Sequence, residues 1–162
     1  MRRILAGVVL ALMLTGGAVQ EPFQEAFVAW SKGDYASAFR LWRPLAAQGD
    51  AASQFYLATL YEQGKGVPQD YAEAVGWYRL AAEQGYGRAQ SRLGWLYAKG
   101  FEVPVDFVQA YKWLDLATVA RYPGWDKPGG KEAAEIRDRI ASVMTAMQIA
   151  EARKLAREWK PK

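Results

Sequence analysis

From Ala52 to Gln63 the apolar side chains Leu57, Leu60 and Tyr61 recur three and four residues apart, and Gly64-Lys65-Gly66 interrupts the run. That spacing places them on one face of a helix, which the glycines end. Asp70 follows where an N-cap is wanted, its carboxylate able to accept from the free amides of the next turn. Beyond it Ala74, Trp77, Tyr78 and Ala81 share the face of a second predicted helix, which Gln84-Gly85 closes. The unit is a helical hairpin.

The same grammar returns at a spacing of 36 residues. Asp34, Asp70 and Asp106 fall in register, each followed by an aromatic (Tyr35, Tyr71, Phe107) and, four residues after the Asp, by Ala38, Ala74 or Ala110. Gln54, Leu57, Leu60, Tyr61, Gly64, Val67 and Pro68 match Gln90, Leu93, Leu96, Tyr97, Gly100, Val103 and Pro104. A period of about 20–50 residues built from helices describes a solenoid. One hairpin cannot bury its apolar face alone, so neighbours must stack. Small residues at Ala58/Gly94 and Ala74/Ala110 let backbones approach, while Trp77, Tyr78 and Trp113 are expected to fill the space between hairpins.

The ends depart from this pattern. Residues 29–34 lack the longer glycine loop, and Pro44 falls inside a predicted helix, which it should kink or whose start it should shift. Glu102 stands where the second unit has Gly66, so that loop is expected to turn differently. Residues 121–130 are a turn-rich linker. A helix from Lys131 to about Val143 follows, offering Ala134, Ile136, Ile140 and Val143 for burial. Thr145 and Gln148 fit a capping box that opens a last helix bearing Ile149, Ala152, Leu155, Ala156 and Trp159. These helices, over 131–160, are predicted to cap the solenoid.

The stretch Ala58–Gly85, with its Gly64-Lys65-Gly66-Val67-Pro68 loop, resembles a Sel-one-like repeat (SLR), a relative of the tetratricopeptide repeat. Gly94–Ala117 resembles a second copy. The resemblance implies an all-α, short right-handed α-solenoid of stacked hairpins with a C-terminal helical cap. It also implies an adaptor role, in which the concave surface holds a peptide or another domain. On this reading residues 22–50 are a divergent first repeat, 51–86 and 87–121 are SLR repeats, and 22–162 form a single domain. Some cysteine-rich exported relatives have been associated with penicillin binding or hydrolysis, but the cysteines that staple them are missing here.

Upstream of the repeats, Met1-Arg2-Arg3, the uncharged apolar run Ile4–Thr15 and the small residues Gly16-Gly17-Ala18 follow the three-part pattern of a secretory signal peptide. The run is shorter than the roughly 20 apolar residues of a membrane span. Residues 1–18 are therefore expected to be cleaved by a Sec-type pathway, leaving a periplasmic or secreted protein with no stable membrane anchor. The formal charge of +4 then falls to +2, split as −3 over residues 21–85 and +5 over residues 86–162. That imbalance can steer a charged partner but is too mixed to suggest nucleic acid.

The chain has neither His nor Cys, which removes the commonest general base and the commonest metal ligand, and no metal or cofactor is expected. Paired carboxylates for glycoside hydrolysis could be drawn from Glu62, Asp70, Glu73, Glu102 and Asp106. Asp70 and Asp106 are accounted for as N-caps, and Glu62 and Glu73 as helix-surface residues. No Ser sits in a nucleophile elbow, and Gly64-Lys65-Gly66 is too short for a phosphate loop.

The residues thus favour a binding scaffold over an enzyme. On the first helix of each unit, Phe55, Tyr56, Thr59 and Gln63, then Arg88, Arg92, Trp95 and Lys99, are not needed for the core pattern. Aromatic and Arg side chains anchor many interfaces. They predict an aromatic-basic groove for an acidic protein segment with an apolar anchor. The alternative is a cell-wall-associated enzyme or carbohydrate-binding module, whose aromatics would stack on sugar rings.

Overall fold

The structure is a computed structural model that describes residues 21–120 and 130–162. The expected signal peptide and nearly all of the predicted linker lie outside the described residues. Among the described residues the chain forms eight helices and no strand. They are α1 (21–31), α2 (Tyr35–Ala47), α3 (Ala51–Gln63), α4 (Tyr71–Glu83), α5 (Gly87–Lys99), α6 (Phe107–Val119), α7 (Gly130–Ala141) and α8 (Ala146–Glu158). Successive helices from α2 to α7 pack on one another, giving an α-solenoid of helical hairpins.

Local chemistry sets the starts. Asp34, Asp70 and Asp106 each accept from the amide three residues on, at 3.1, 3.0 and 2.9 Å, and open α2, α4 and α6 in register. Asp50 does the same for α3 at 2.7 Å. Its counterpart in the next repeat is Tyr86, which makes no capping bond and instead buries its ring 5.3 Å from Phe55. Thr145 and Gln148 form the expected capping box on α8. A second repeating device joins the units. Gln54 and Gln90 are buried and donate to the carbonyls of Ala46 and Ala82, in the last turns of α2 and α4, where helical donors have run out.

The predicted close approaches are present. A Cβ on Gly94 would stand 2.7 Å from the Leu114 side chain and 3.0 Å from the Ala110 carbonyl, so α5 and α6 touch there through backbone. Pro44 does not shift the start of α2, which stays in register with α4 and α6; the helix runs through it to Ala47. The expectation for Glu102 is also corrected. It takes φ +53°, the left-handed conformation that Gly66 takes at +72°, so both loops turn alike.

The units differ in how far their outer helices are covered. Tyr78 is 1% and Trp113 5% exposed, but Trp77 is half-buried, with its indole N–H donating to Glu73 at 3.2 Å. Trp113 is covered because α8 lies over it, Trp159 meeting it edge-on at 6.2 Å. Among the described residues nothing equivalent covers α4 at Trp77. In the cap, α7 and α8 both pack on α6 rather than chiefly on each other. Ala133, not Ala134, is the fully buried alanine of α7, and Val143 is 67% exposed because the helix ends before it. Lys131 and Asp138 are exposed on α7, at the end of the stack.

Candidate functional site

The first helices of units two and three, α3 and α5, carry the residues expected to line a groove, and the structure separates them. Phe55 and Tyr56 are each only 8% exposed, which corrects their expected exposure. Tyr56 stacks on Trp42 with centroids 4.8 Å apart and is ringed by Phe23, Phe27 and Trp30 at 5.8–6.0 Å. Phe55 packs against Tyr78 and Tyr86. For Tyr56 the reason is α1, whose aromatics pack on it, and for Phe55 it is the rings of Tyr78 and Tyr86; α3 is covered on most sides, with Ser53, Gln54 and Glu62 buried beside its apolar side chains. Thr59 is half-buried and donates to the Phe55 carbonyl at 2.9 Å.

Helix α5 stays open. Arg88 is exposed, lies 4.8 Å above the Phe55 ring and donates to the Tyr56 hydroxyl at 3.1 Å. Trp95 is half-buried, with the Arg92 guanidinium 4.2 Å from its centroid and Phe101 stacked on it at 5.5 Å. Lys99 is exposed at the end of the same helix. Two depressions follow this row. One of about 280 Å³ is lined by Phe55, Arg88, Ser91, Arg92, Trp95, Glu132 and Ile136. The other, of about 460 Å³, runs from Trp95 and Lys99 to Glu135, Arg139 and Ile140. The groove therefore lies between α5 and α7, and α3 contributes Phe55 alone. Sequence reasoning assigned α7 to the cap and missed it as a wall; the signal within reach was Ile136 and Ile140 on one face with Glu132 beside them.

Glu62 is the other correction. It is 7% exposed rather than on the surface. It accepts from the Tyr78 hydroxyl at 2.7 Å and from Arg92 Nε at 3.0 Å, and its second oxygen closes the ion pair with Arg92. Burial first, and then the Glu62 charge, push the Tyr78 hydroxyl far above the ordinary phenol range, so it serves as a proton donor. Burial opposes the charge of Arg92, but hydrogen bonds to Glu62 and its attraction outweigh that and hold the guanidinium pKa above its usual value. Arg92 is thus a strut between α5 and α3, not a free rim charge. Glu62 occupies the position that Ala98 fills in the next repeat, a departure visible in the sequence. Among the described residues no group of three or more acidic side chains comes together to hold a metal ion.

The Sel1 repeat family model matches residues 30–50, 51–86 and 87–118. A protective antigen present in uropathogenic Escherichia coli strains, displaying an SLR fold, superposes with a TM-score of 0.77 at 30% identity, covering 90% of this chain and 30% of that one. A Sel1 repeat protein from Oxalobacter formigenes superposes with a TM-score of 0.57 at 28% identity, covering 75% of this chain and 34% of that one. The chain therefore spans about a third of the length of the solved structures it resembles. No curated protein matches it. Three matched repeats, in register with the helical hairpins described above, establish that the chain belongs to the Sel1 repeat family.

Proposed function

We propose that the protein is an exported scaffold that binds another protein in the cell envelope, through the groove between α5 and α7. Membership of a family of repeat scaffolds supports a binding role. The observation that carries the reading is Trp95, a half-buried indole shared by both depressions and braced by Arg92 and Phe101. A large aromatic held in a partly desolvated hollow and flanked by basic side chains has the makings of an interface anchor. Three of the five carboxylates first considered for catalysis have structural work: Asp70 and Asp106 cap helices, and Glu62 bonds to Tyr78 and Arg92. Export rests on the sequence of residues 1–18.

Affinity capture from envelope extract, read by mass spectrometry, supplies a partner for direct binding measurement. Trp95→Ala should weaken that complex about 30-fold or more, the size expected of a hot spot. Equal affinity in a folded Trp95→Ala variant overturns the site, and sedimentation with purified cell-wall material in place of a protein partner overturns the scaffold reading. Intact-mass measurement of the exported protein should find a chain beginning near residue 19; a mature species retaining Met1–Thr15 overturns cleavage.

A further inference from the structure

Helices α4 and α6 carry the same pair of large apolar residues one repeat apart, and among the described residues only α6 carries a further helix over them. Trp77 and Leu80 on α4 stand 36 residues before Trp113 and Leu116 on α6. With α8 packed on α6, Trp113 is 5% and Leu116 9% exposed. On α4 Trp77 is half-buried and Leu80 is 47% exposed. With Ala72, Glu73 and Gly76 they line a depression of about 210 Å³. Gly76 stands where α6 has Lys112, and the space a Cβ would take on it is open, so no side chain there bars an approaching helix.

The seating of α8 shows what such a face takes. Ala152, Leu155, Ala156 and Trp159 follow the spacing of helix-in-groove anchors, with both alanines buried and Trp159 against Trp113. The tail then reaches the end of α4. A Cβ on Gly85 would meet Trp159 at 3.7 Å and Pro161 at 4.0 Å. Lys162 donates its amide to the Glu83 carbonyl and its ammonium to the Glu83 carboxylate. One repeat back, the positions of Gly85 and Glu83 are held by Gly49 and Ala47, both exposed. Nothing lies within 4 Å of where a Cβ on Gly49 would be. Ala47 lines a depression of about 430 Å³ with Phe39, Arg40, Arg43 and Pro44. Both arginines are exposed, and neither closes an ion pair among the described residues. Where α4 offers a basic tail an acid, α2 offers an alanine beside two arginines.

We infer that the outer face of α4 is a docking seat for an amphipathic helix of a partner protein, placed as α8 is placed on α6. Its apolar face, with an aromatic anchor, lies over Trp77 and Leu80, and an acidic segment after the helix lies over Arg40 and Arg43. The seat is separate from the groove between α5 and α7. Equivalence of the two faces sets the form of the occupant, and charge complementarity sets its tail. A second copy's α8 fits poorly. Its own apolar face is engaged on α6, and its tail carries Lys160 and Lys162, like charges against the two arginines.

The test is to pan a library of helical peptides, varied along one face and in the segment after it, on the immobilised full chain. The recovered consensus should carry apolar anchors at helical spacing, an aromatic among them, followed by acidic positions. Recovered peptides should bind Leu80→Glu about tenfold or more weakly and keep their affinity for Trp95→Ala. Panning on Arg40→Glu with Arg43→Glu should exchange the acidic positions for basic ones. Leu80, Arg40 and Arg43 are exposed, so these variants should keep their fold, with helical content as the check. Failure to enrich any helix that depends on Leu80 overturns the inference, as does a consensus whose tail is unmoved by the charge reversal. Peptides that depend on Trp95 and not on Leu80 overturn this seat while supporting the groove. Self-association in sedimentation that is lost in Leu80→Glu would give the seat to a second copy and overturn the acidic-tailed partner.

Discussion

The joint between α1 and α3 and the joint between α3 and α5 use equivalent positions for opposite chemistry. In the first, Tyr56 reaches back onto Phe23, Phe27 and Trp30 and stacks on Trp42. One repeat later Arg92 replaces Tyr56 and Tyr78 replaces Trp42, and the joint is an ion pair to Glu62 with the Tyr78 hydroxyl bonded in. The aromatic joint leaves the buried Trp42 indole N–H without a hydrogen-bond partner among the described residues. In the polar joint, Tyr78 and Arg92 each bond to Glu62. One backbone geometry therefore tolerates either solution, and the polar one leaves the surface of α5 open.

Removing an aromatic from the first joint should have the largest effect. Trp42→Ala should lower stability by about 3–5 kcal/mol, because Trp42 is fully buried and its loss leaves a cavity. Urea unfolding of the full chain measures it, and a loss under about 1 kcal/mol would mean that the stack is not what joins α1 to the repeats.

The polar joint should prove weaker and replaceable. Glu62→Ala strands Arg92 and Tyr78, at a cost of about 2–3 kcal/mol once the partial exposure of Arg92 is discounted. Glu62→Leu combined with Arg92→Met should recover most of that loss, since an apolar pair of similar volume often matches a buried ion pair. If the double variant is as unstable as Glu62→Ala, the joint depends on charge and the two joints are not interchangeable.

The loop between α3 and α4 and the loop between α5 and α6 offer a sharper pair. A Cβ on Gly66 would lie 2.5 Å from the Tyr35 backbone, in a left-handed conformation, so Gly66→Ala should cost about 2 kcal/mol or more. Glu102 already carries a Cβ at positive φ, and Glu102→Gly should stabilise by roughly 0.5–1 kcal/mol. Thermal melts of both variants decide it, and equal effects would show that the loops are not packed differently.

Smallest are the caps. Asp70→Ala and Asp106→Ala should each cost about 1 kcal/mol, with Asn tolerated at either position. Loss of partner binding without loss of stability would reopen a direct functional role for these carboxylates.

Trp77 shows where a sequence pattern stops. Its spacing is that of a core residue, and its counterpart Trp113 is buried. Whether the position is covered depends on α8, which packs on α6, and no periodicity within the repeat encodes that. Glu62 failed to stand out for a related reason: its partners Tyr78 and Arg92 lie 16 and 30 residues away on two other helices. Phe55 and Tyr56 were assigned to a surface because the repeat pattern omits them, yet Tyr56 sits where the aromatics of α1 arrive and Phe55 between the rings of Tyr78 and Tyr86.

What the sequence determined by itself was local and periodic. The 36-residue repeat, the aspartate caps, the glycine loops and the small residues at helix contacts act through neighbours a few residues away or through one repeated contact, so they can be read directly. Tertiary structure decided which faces stay open. The burial of α3, the strut from Arg92 to Glu62 and the use of α7 as the second wall of the groove depend on where the ends of the solenoid fold back. There the chain is no longer periodic, and burial is settled by whichever element arrives to cover a surface.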